Sequence, residues 1–123
     1  MLEFLDQALM AHALIKKKLI DTIEGTADHG IDPDTMRRDD ACKVGEWIHH
    51  ADNELKGTAE LERLREVHAA LHQSAYDAYR MKEAGRADEA RRIVESGSFE
   101  AASSELKKII IAMKRRCANE AAA

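Results

Sequence analysis

The chain has 123 residues, of which 45% are hydrophobic, so its length suits a single domain with a modest buried core. A formal net charge of −4 and an aromatic content of only 4% argue against nucleic acid and against an anionic membrane surface as partners. The longest apolar run is only a few residues, which excludes a transmembrane helix and membrane contact through one.

The two cysteines of the chain are too few for the disulfide framework of a small secreted domain. The first nine residues already contain Glu3 and Asp6, so they do not resemble a secretory signal peptide. The sequence therefore predicts a reduced, cytoplasmic setting.

Apolar residues recur at steps of three and four along the whole chain, which is the period of an amphipathic helix. The first predicted helix covers residues 2–24 and ends at Gly25; its apolar face consists of Leu2, Leu5, Leu9, His12, Ile15, Leu19 and Ile23. Residues 25–39 are polar, contain Pro33, and are predicted to form a long connection.

A short helix is predicted over residues 40–51, followed by a long helix over residues 58–83 with Thr58 as its N-cap and Gly85 as its stop. A brief helix over residues 87–95 and a last helix over residues 98–118 complete the chain. The buried faces of the two long helices are predicted to contain Leu61, Leu64, His68, Leu71, His72, Ala75 and Tyr79, and Phe99, Ala102, Leu106, Ile109, Ile110, Met113 and Cys117.

These elements predict an all-α protein, an antiparallel four-helix-type bundle with one short extra helix. Residues 1–118 are expected to form one domain, and residues 119–123 a frayed tail.

The short helix carries the sequence Cys42-Lys-Val-Gly45-Glu-Trp47. The cysteine is expected in its first turn, behind Asp39 and Asp40, either of which can cap the helix. The positive end of the helix dipole favours a thiolate there. A lone cysteine in such a helix is, however, usually a small core residue. Trp47 is predicted to pack in the core.

His68 and His72 lie four residues apart, so both rings can reach one point on the same helix face. Both fall on or beside the apolar face, as does His12 in the first helix. Each of these histidines alone is more often a hydrogen-bonded residue of the core than a metal ligand. Together with Cys42 they form a set of nitrogen and sulfur ligands that suits tetrahedral Zn²⁺, whereas Ca²⁺ and Mg²⁺ prefer oxygen. His49 is a further candidate, as a neighbour of the site or a competing ligand.

The same residues resemble the signature of the bacterial chemoreceptor zinc-binding (CZB) domain: a histidine in the first helix, then Cys-x-x-Gly-x-Trp, then His-x-x-x-His. They stand here as His12, Cys42 to Trp47, and His68 with His72. The resemblance implies a zinc site of three histidines and one cysteine, a homodimer, and a role in sensing zinc. In some members of that family the zinc-bound cysteine reacts with hypochlorous acid. The output implied is a chemoreceptor or the control of cyclic-di-GMP synthesis.

The main hypothesis is therefore a regulatory zinc sensor that is not an enzyme, since four protein ligands leave no position open for a catalytic water. A structural, zinc-stabilised interaction module is an alternative that sequence does not separate from a sensor. A metalloenzyme is a weaker alternative. The segment from His68 to His72 lacks the glutamate of the zinc-protease motif, and only His49 has a glutamate three residues before it, as di-iron bundles require.

Overall fold

The computed structural model describes residues 2–26, 30, 32–38, 40, 42–49 and 57–122, without the side chains of residues 2, 3, 43, 49 and 117–122. Within these ranges the chain is helical and has no strand. The helices are α1 (Leu2–Glu24), α2 (Pro33–Arg37), α3 (Lys43–His49), α4 (Ala59–Glu83), α5 (Ala87–Glu95) and α6 (Ser98–Ala122). This confirms the predicted all-α helical bundle.

The three long helices and α5 bury most of the predicted apolar faces in one core, and Leu9 and Ile15 of α1 are half-buried against it. Phe99, Val94 and Leu19 are fully buried there, at 0% exposure. The predicted face of α6 is buried from Phe99 to Met113, while Tyr79 of α4 is only half-buried. None of the helices in the described part of the chain combines the length and apolar character needed to cross a membrane.

Helix α4 begins and ends where the sequence predicts. The Thr58 hydroxyl accepts a hydrogen bond from the N–H of Leu61 at 3.2 Å, as an N-cap does. At the other end Gly85 adopts a φ of 81°, which a residue with a Cβ rarely adopts, and the chain turns directly into α5.

The last helix and the predicted connection both differ from the prediction. Helix α6 continues to Ala122, past the predicted end at Ala118, because alanine and glutamate favour helix and no glycine or proline stops it. The predicted connection contains helix α2: Asp32 caps it by accepting from the N–H of Asp34 at 3.1 Å, and Pro33 occupies its first turn.

Ion pairs between the long helices show the relative directions in which these helices run. Lys16 pairs with Glu100 at 3.1 Å and Lys114 pairs with Asp6, so α1 and α6 are antiparallel. Helix α4 is also antiparallel to α6, since Arg63 pairs with Glu105 and Arg116 with Glu60. Helices α1 and α4 therefore run in the same direction. Helices α2 and α3, which lie between α1 and α4 in the chain, pack on α4.

Candidate metal centre

His12 lies in the middle of α1 and is 5% exposed. Its Nδ1 lies 2.7 Å from the carbonyl oxygen of Ala8, one helical turn earlier. Because a carbonyl only accepts, Nδ1 carries the proton and donates it, and Nε2 of the neutral ring keeps its lone pair. Nε2 is buried and has no hydrogen-bond partner among the described residues. A buried nitrogen without a partner is costly, so the fold holds a ligand atom ready at this point.

His68 and His72 lie one turn apart on α4 and are 1% and 6% exposed. Their Nε2 atoms approach each other to 3.1 Å, so both rings point to the same place. The Nδ1 of His72 donates to the carbonyl oxygen of Met36 at 2.9 Å, which leaves the lone pair of its Nε2 directed inward.

The carbonyl of Met36 is a functional group that the sequence prediction missed, because residues 25–39 were predicted to be a plain connection. The available signal was Asp32 followed by Pro33, an N-cap and first-turn pair that marks a helix start. Helix α2 places this carbonyl on α4, where it orients His72. Outer hydrogen bonds of this kind fix the tautomer and orientation of a metal-binding imidazole.

Cys42 is the N-cap of α3 and does not lie inside its first turn, which corrects the predicted start at residue 40. The helix begins at Lys43, and the Cys42 carbonyl accepts from the N–H of Glu46 at 2.8 Å. The sulfur itself accepts from the N–H of Gly45 at 3.3 Å, in the place of a capping oxygen. Asp40, one of the two predicted caps, instead accepts from Arg38 at 3.0 Å.

The amides of a helix N-terminus and the helix dipole favour negative charge on the Cys42 sulfur. The other predicted cap, Asp39, lies outside the described residues.

The four candidate side chains come together at one point between α1, α3 and α4. The Cys42 sulfur lies 3.3 Å from Nε2 of His68 and 3.7 Å from Nε2 of His72. The ring of His12 meets those of His68 and His72 edge-on, with centroids 5.2 and 6.1 Å apart. One ligand atom from each of the four residues lies within 4.8 Å of the other three.

The distances between the ligand atoms of Cys42, His68 and His72 are close to those around a tetrahedral zinc ion. A tetrahedral zinc ion with Zn–N bonds of about 2.0–2.1 Å and Zn–S bonds of about 2.3 Å holds its ligand atoms about 3.3–3.6 Å apart. The separations among Cys42, His68 and His72, at 3.1, 3.3 and 3.7 Å, span that range. Three nitrogens and one sulfur are also the ligand types that zinc prefers. The donor set therefore fits zinc.

Burial lowers the pKa of His12 below the ordinary value for histidine; the hydrogen bond to Ala8 opposes this shift, and positive charge on His72 adds to it. The neutral ring is therefore favoured, which is the form that binds a metal.

The residues beside the cluster seat α3 on the bundle. Trp47 is half-buried and its ring lies 5.0 Å from that of Phe4 on α1, which confirms its predicted packing role. Val44 and Ile48 of the same helix are buried in the core. The side chain of His49, the further candidate ligand, is not among those that the structure describes. The side chain of Cys117, which is predicted to pack in the core, is not among them either.

The fold and the cluster define a helical domain in which three histidines and one cysteine form a group that could hold a metal ion. Among protein families, the model described as the chemoreceptor zinc-binding domain matches residues 12–79, more than half of the chain. The chain belongs to this family. The matched segment begins at His12 and includes Cys42, His68 and His72. No curated protein and no solved structure matches the chain.

Proposed function

We propose that the protein is a regulatory zinc sensor in which His12, Cys42, His68 and His72 bind one Zn²⁺ ion. The observation that carries this proposal is the convergence of four ligand atoms from three helices to within 4.8 Å of one another. Residues on the same face of one helix meet often, but ligands from α1, α3 and α4 meet only if the fold brings them together. Bound there, zinc cross-links the three helices and neutralises the thiolate.

Helix α3 is the element that we expect to respond to the metal. It has only seven residues, too few to be stable as an isolated helix, so its structure depends on what it packs against. Cys42 at its N-terminus links it to the rings on α1 and α4. When zinc leaves, or when an oxidant such as hypochlorous acid modifies the thiolate, that link is lost and the helix is released.

The same geometry argues against catalysis. Four protein ligands complete a tetrahedral shell, whereas catalytic zinc sites keep a position for water. We therefore propose that the protein is not an enzyme, and a metalloenzyme is the less favoured function.

The released helix would alter a coupled output, a chemoreceptor or the synthesis of cyclic-di-GMP, in a homodimer in the cytoplasm. Within the protein we propose one zinc-binding domain over residues 1–118, with residues 119–123, which include the last residues of α6, as its tail. A structural, zinc-stabilised interaction module is the alternative, and it differs in one respect: neither loss of zinc nor oxidation of Cys42 would change the output.

Metal analysis of the protein purified under reducing conditions tests this function. We expect about one zinc per chain. Cys42→Ala should lower zinc affinity by more than about a hundredfold, because even the loss of an outer partner of a metal ligand costs about 10- to 100-fold. Cys117→Ala is the matched control and should retain wild-type affinity. A protein without measurable zinc affinity, or equal effects of the two substitutions, would contradict the proposal.

A further inference from the structure

A cavity of about 250 Å³ lies between α1 and the start of α3 and extends to the metal centre. Cys42 and His12 line one part of it. His68 and His72 are not among its described lining residues. The cavity therefore reaches the candidate metal centre beside Cys42 and His12.

The rest of the lining is apolar or uncharged. Phe4, Ala8, Ile15 and Val44 surround the cavity, and no Asp, Glu, Lys or Arg is among the described residues that line it. An ion that enters the apolar part of this space loses its hydration, which is costly, whereas an uncharged molecule does not bear that cost. We therefore expect the described lining to disfavour charged molecules.

The cavity opens to solvent on the exposed side of α1. Ala8 and Val44 are buried, whereas Gln7 and Ala11, one turn apart, line the cavity and are exposed. Ala11 contributes only a methyl group to this exposed edge of the cavity. Pockets that hold drug-sized ligands enclose about 300–1,000 Å³, so this one admits only smaller molecules.

We propose that this cavity is the site through which small uncharged electrophiles reach the sulfur of Cys42, and that Ala11 sets the width of its mouth. The inference rests on the proposed function, since it assigns the class of reagent that acts on the sulfur of the sensing site. It makes α1 the selectivity element of the sensor, in addition to a source of one ligand.

For a maleimide, the reaction balances without an oxidant. The sulfur lone pair forms a bond to one alkene carbon, and the alkene π pair moves to the carbon beside the carbonyl. That carbon then takes a proton from water, and the buffer neutralises the hydroxide. The product is a thioether, which is a much weaker zinc ligand than a thiolate, so zinc is released.

The test uses two maleimides with the same reactive ring, neutral N-ethylmaleimide and the anionic 3-maleimidopropionate, on the purified zinc-containing protein. Peptide mass spectrometry follows modification of Cys42 separately from Cys117, and a colorimetric zinc indicator follows release. Relative to the same two rates with 2-mercaptoethanol, we expect the neutral reagent to be favoured at Cys42 by about tenfold or more, the rate equivalent of 1.36 kcal/mol.

Ala11→Leu should slow the neutral reagent at Cys42 by about tenfold, a barrier increase of the same size, because the larger side chain narrows the mouth. Ala13→Leu is the matched control, since Ala13 is exposed on the same helix and is not among the described lining residues; its rate should equal that of wild type. Gln7→Glu keeps a similar shape and should slow only the anionic reagent further.

Equal rates for Ala11→Leu and Ala13→Leu, or no preference between the two maleimides, would overturn the cavity proposal. If Ala11→Leu does not fold, the rates at which the two maleimides modify Cys42 in wild type and in Gln7→Glu still test the cavity proposal. The two failures are distinguishable: a protein that carries no zinc contradicts the proposed function, whereas the modification rate of Cys42 tests the cavity by itself.

Discussion

The two short helices α3 and α5 both pack on the long helices, but they are held in different ways. In α5, Ala90 and Val94 are 0% exposed, and the helix is joined to α4 by the turn at Gly85. Its ion pair between Arg91 and Glu24, at 3.6 Å, lies near the surface and adds little. Helix α5 is therefore held by apolar burial.

Helix α3 also buries two aliphatic residues, Val44 and Ile48, at 4% and 1% exposure. Its N-terminus, however, is held by the sulfur of Cys42 beside three imidazoles. Apolar burial does not respond to metal concentration or to an electrophile, but a metal–thiolate link responds to both. Under the proposed function, α5 is therefore the permanent short helix of the bundle and α3 the releasable one.

Removal of zinc with a chelator should produce the largest difference in amide hydrogen exchange between α3 and α5. Because zinc provides the N-terminal link of α3, we expect amide hydrogen exchange in α3 to accelerate by about a hundredfold or more, the equivalent of a loss of about 3 kcal/mol in opening free energy. Exchange in α5 should change far less. Equal acceleration in both helices would mean that zinc stabilises the whole fold and that α3 is no specific switch.

Shortening a buried side chain of α5 should lower the stability of the fold and leave zinc binding unchanged. Val94→Ala removes two methyl groups from a fully buried site and should lower the free energy of unfolding by about 2 kcal/mol. Ile111→Ala, at a position 42% exposed, is the control and should cost less than about 0.5 kcal/mol. Denaturant unfolding measures both, and zinc content should stay at the wild-type level. Loss of zinc in Val94→Ala would show that α5 supports the metal centre.

The smallest expected effect is a gain in stability. His12→Leu removes a ligand but also the buried Nε2 that has no hydrogen-bond partner. With chelator present, the variant should therefore be more stable to denaturant than wild type by about 1 kcal/mol. With zinc present the order should reverse, because only wild type retains its full ligand set. A variant less stable than wild type under both conditions would indicate that His12 has mainly a packing role.

The sequence predicted both the long helices and the candidate ligands, and it did so for the same reason. Their information is local and periodic: apolar residues every three or four positions in α1, α4 and α6, and one histidine or a pair of them on the buried face. Glycine at position 85 and threonine at position 58 mark ends by backbone chemistry that is also local. The ligand types of Cys42 and the three histidines indicated one zinc set, and the family resemblance implied the same four residues.

What the sequence did not provide depends on three-dimensional arrangement. Helix α2 has only five residues, so its periodicity carries no signal, and the contact of the Met36 carbonyl with His72 spans 36 positions. The exact start of α3 was also wrong, since sulfur is not a usual capping atom and Asp40 was the better candidate by propensity. The cavity beside Cys42 exists only because α1 and α3 meet there.

The hydrogen bond from His72 to the carbonyl of Met36 has a consequence for mutational studies. All twenty amino acids supply the same carbonyl, so substitutions that test each side chain in turn would record position 36 as tolerant. The group that aligns the imidazole would go unnoticed. Only changes that alter the course of the backbone, such as the loss of the Asp32 cap or the deletion of a residue from α2, would reveal it. A catalogue of important side chains is therefore an incomplete description of this candidate metal centre.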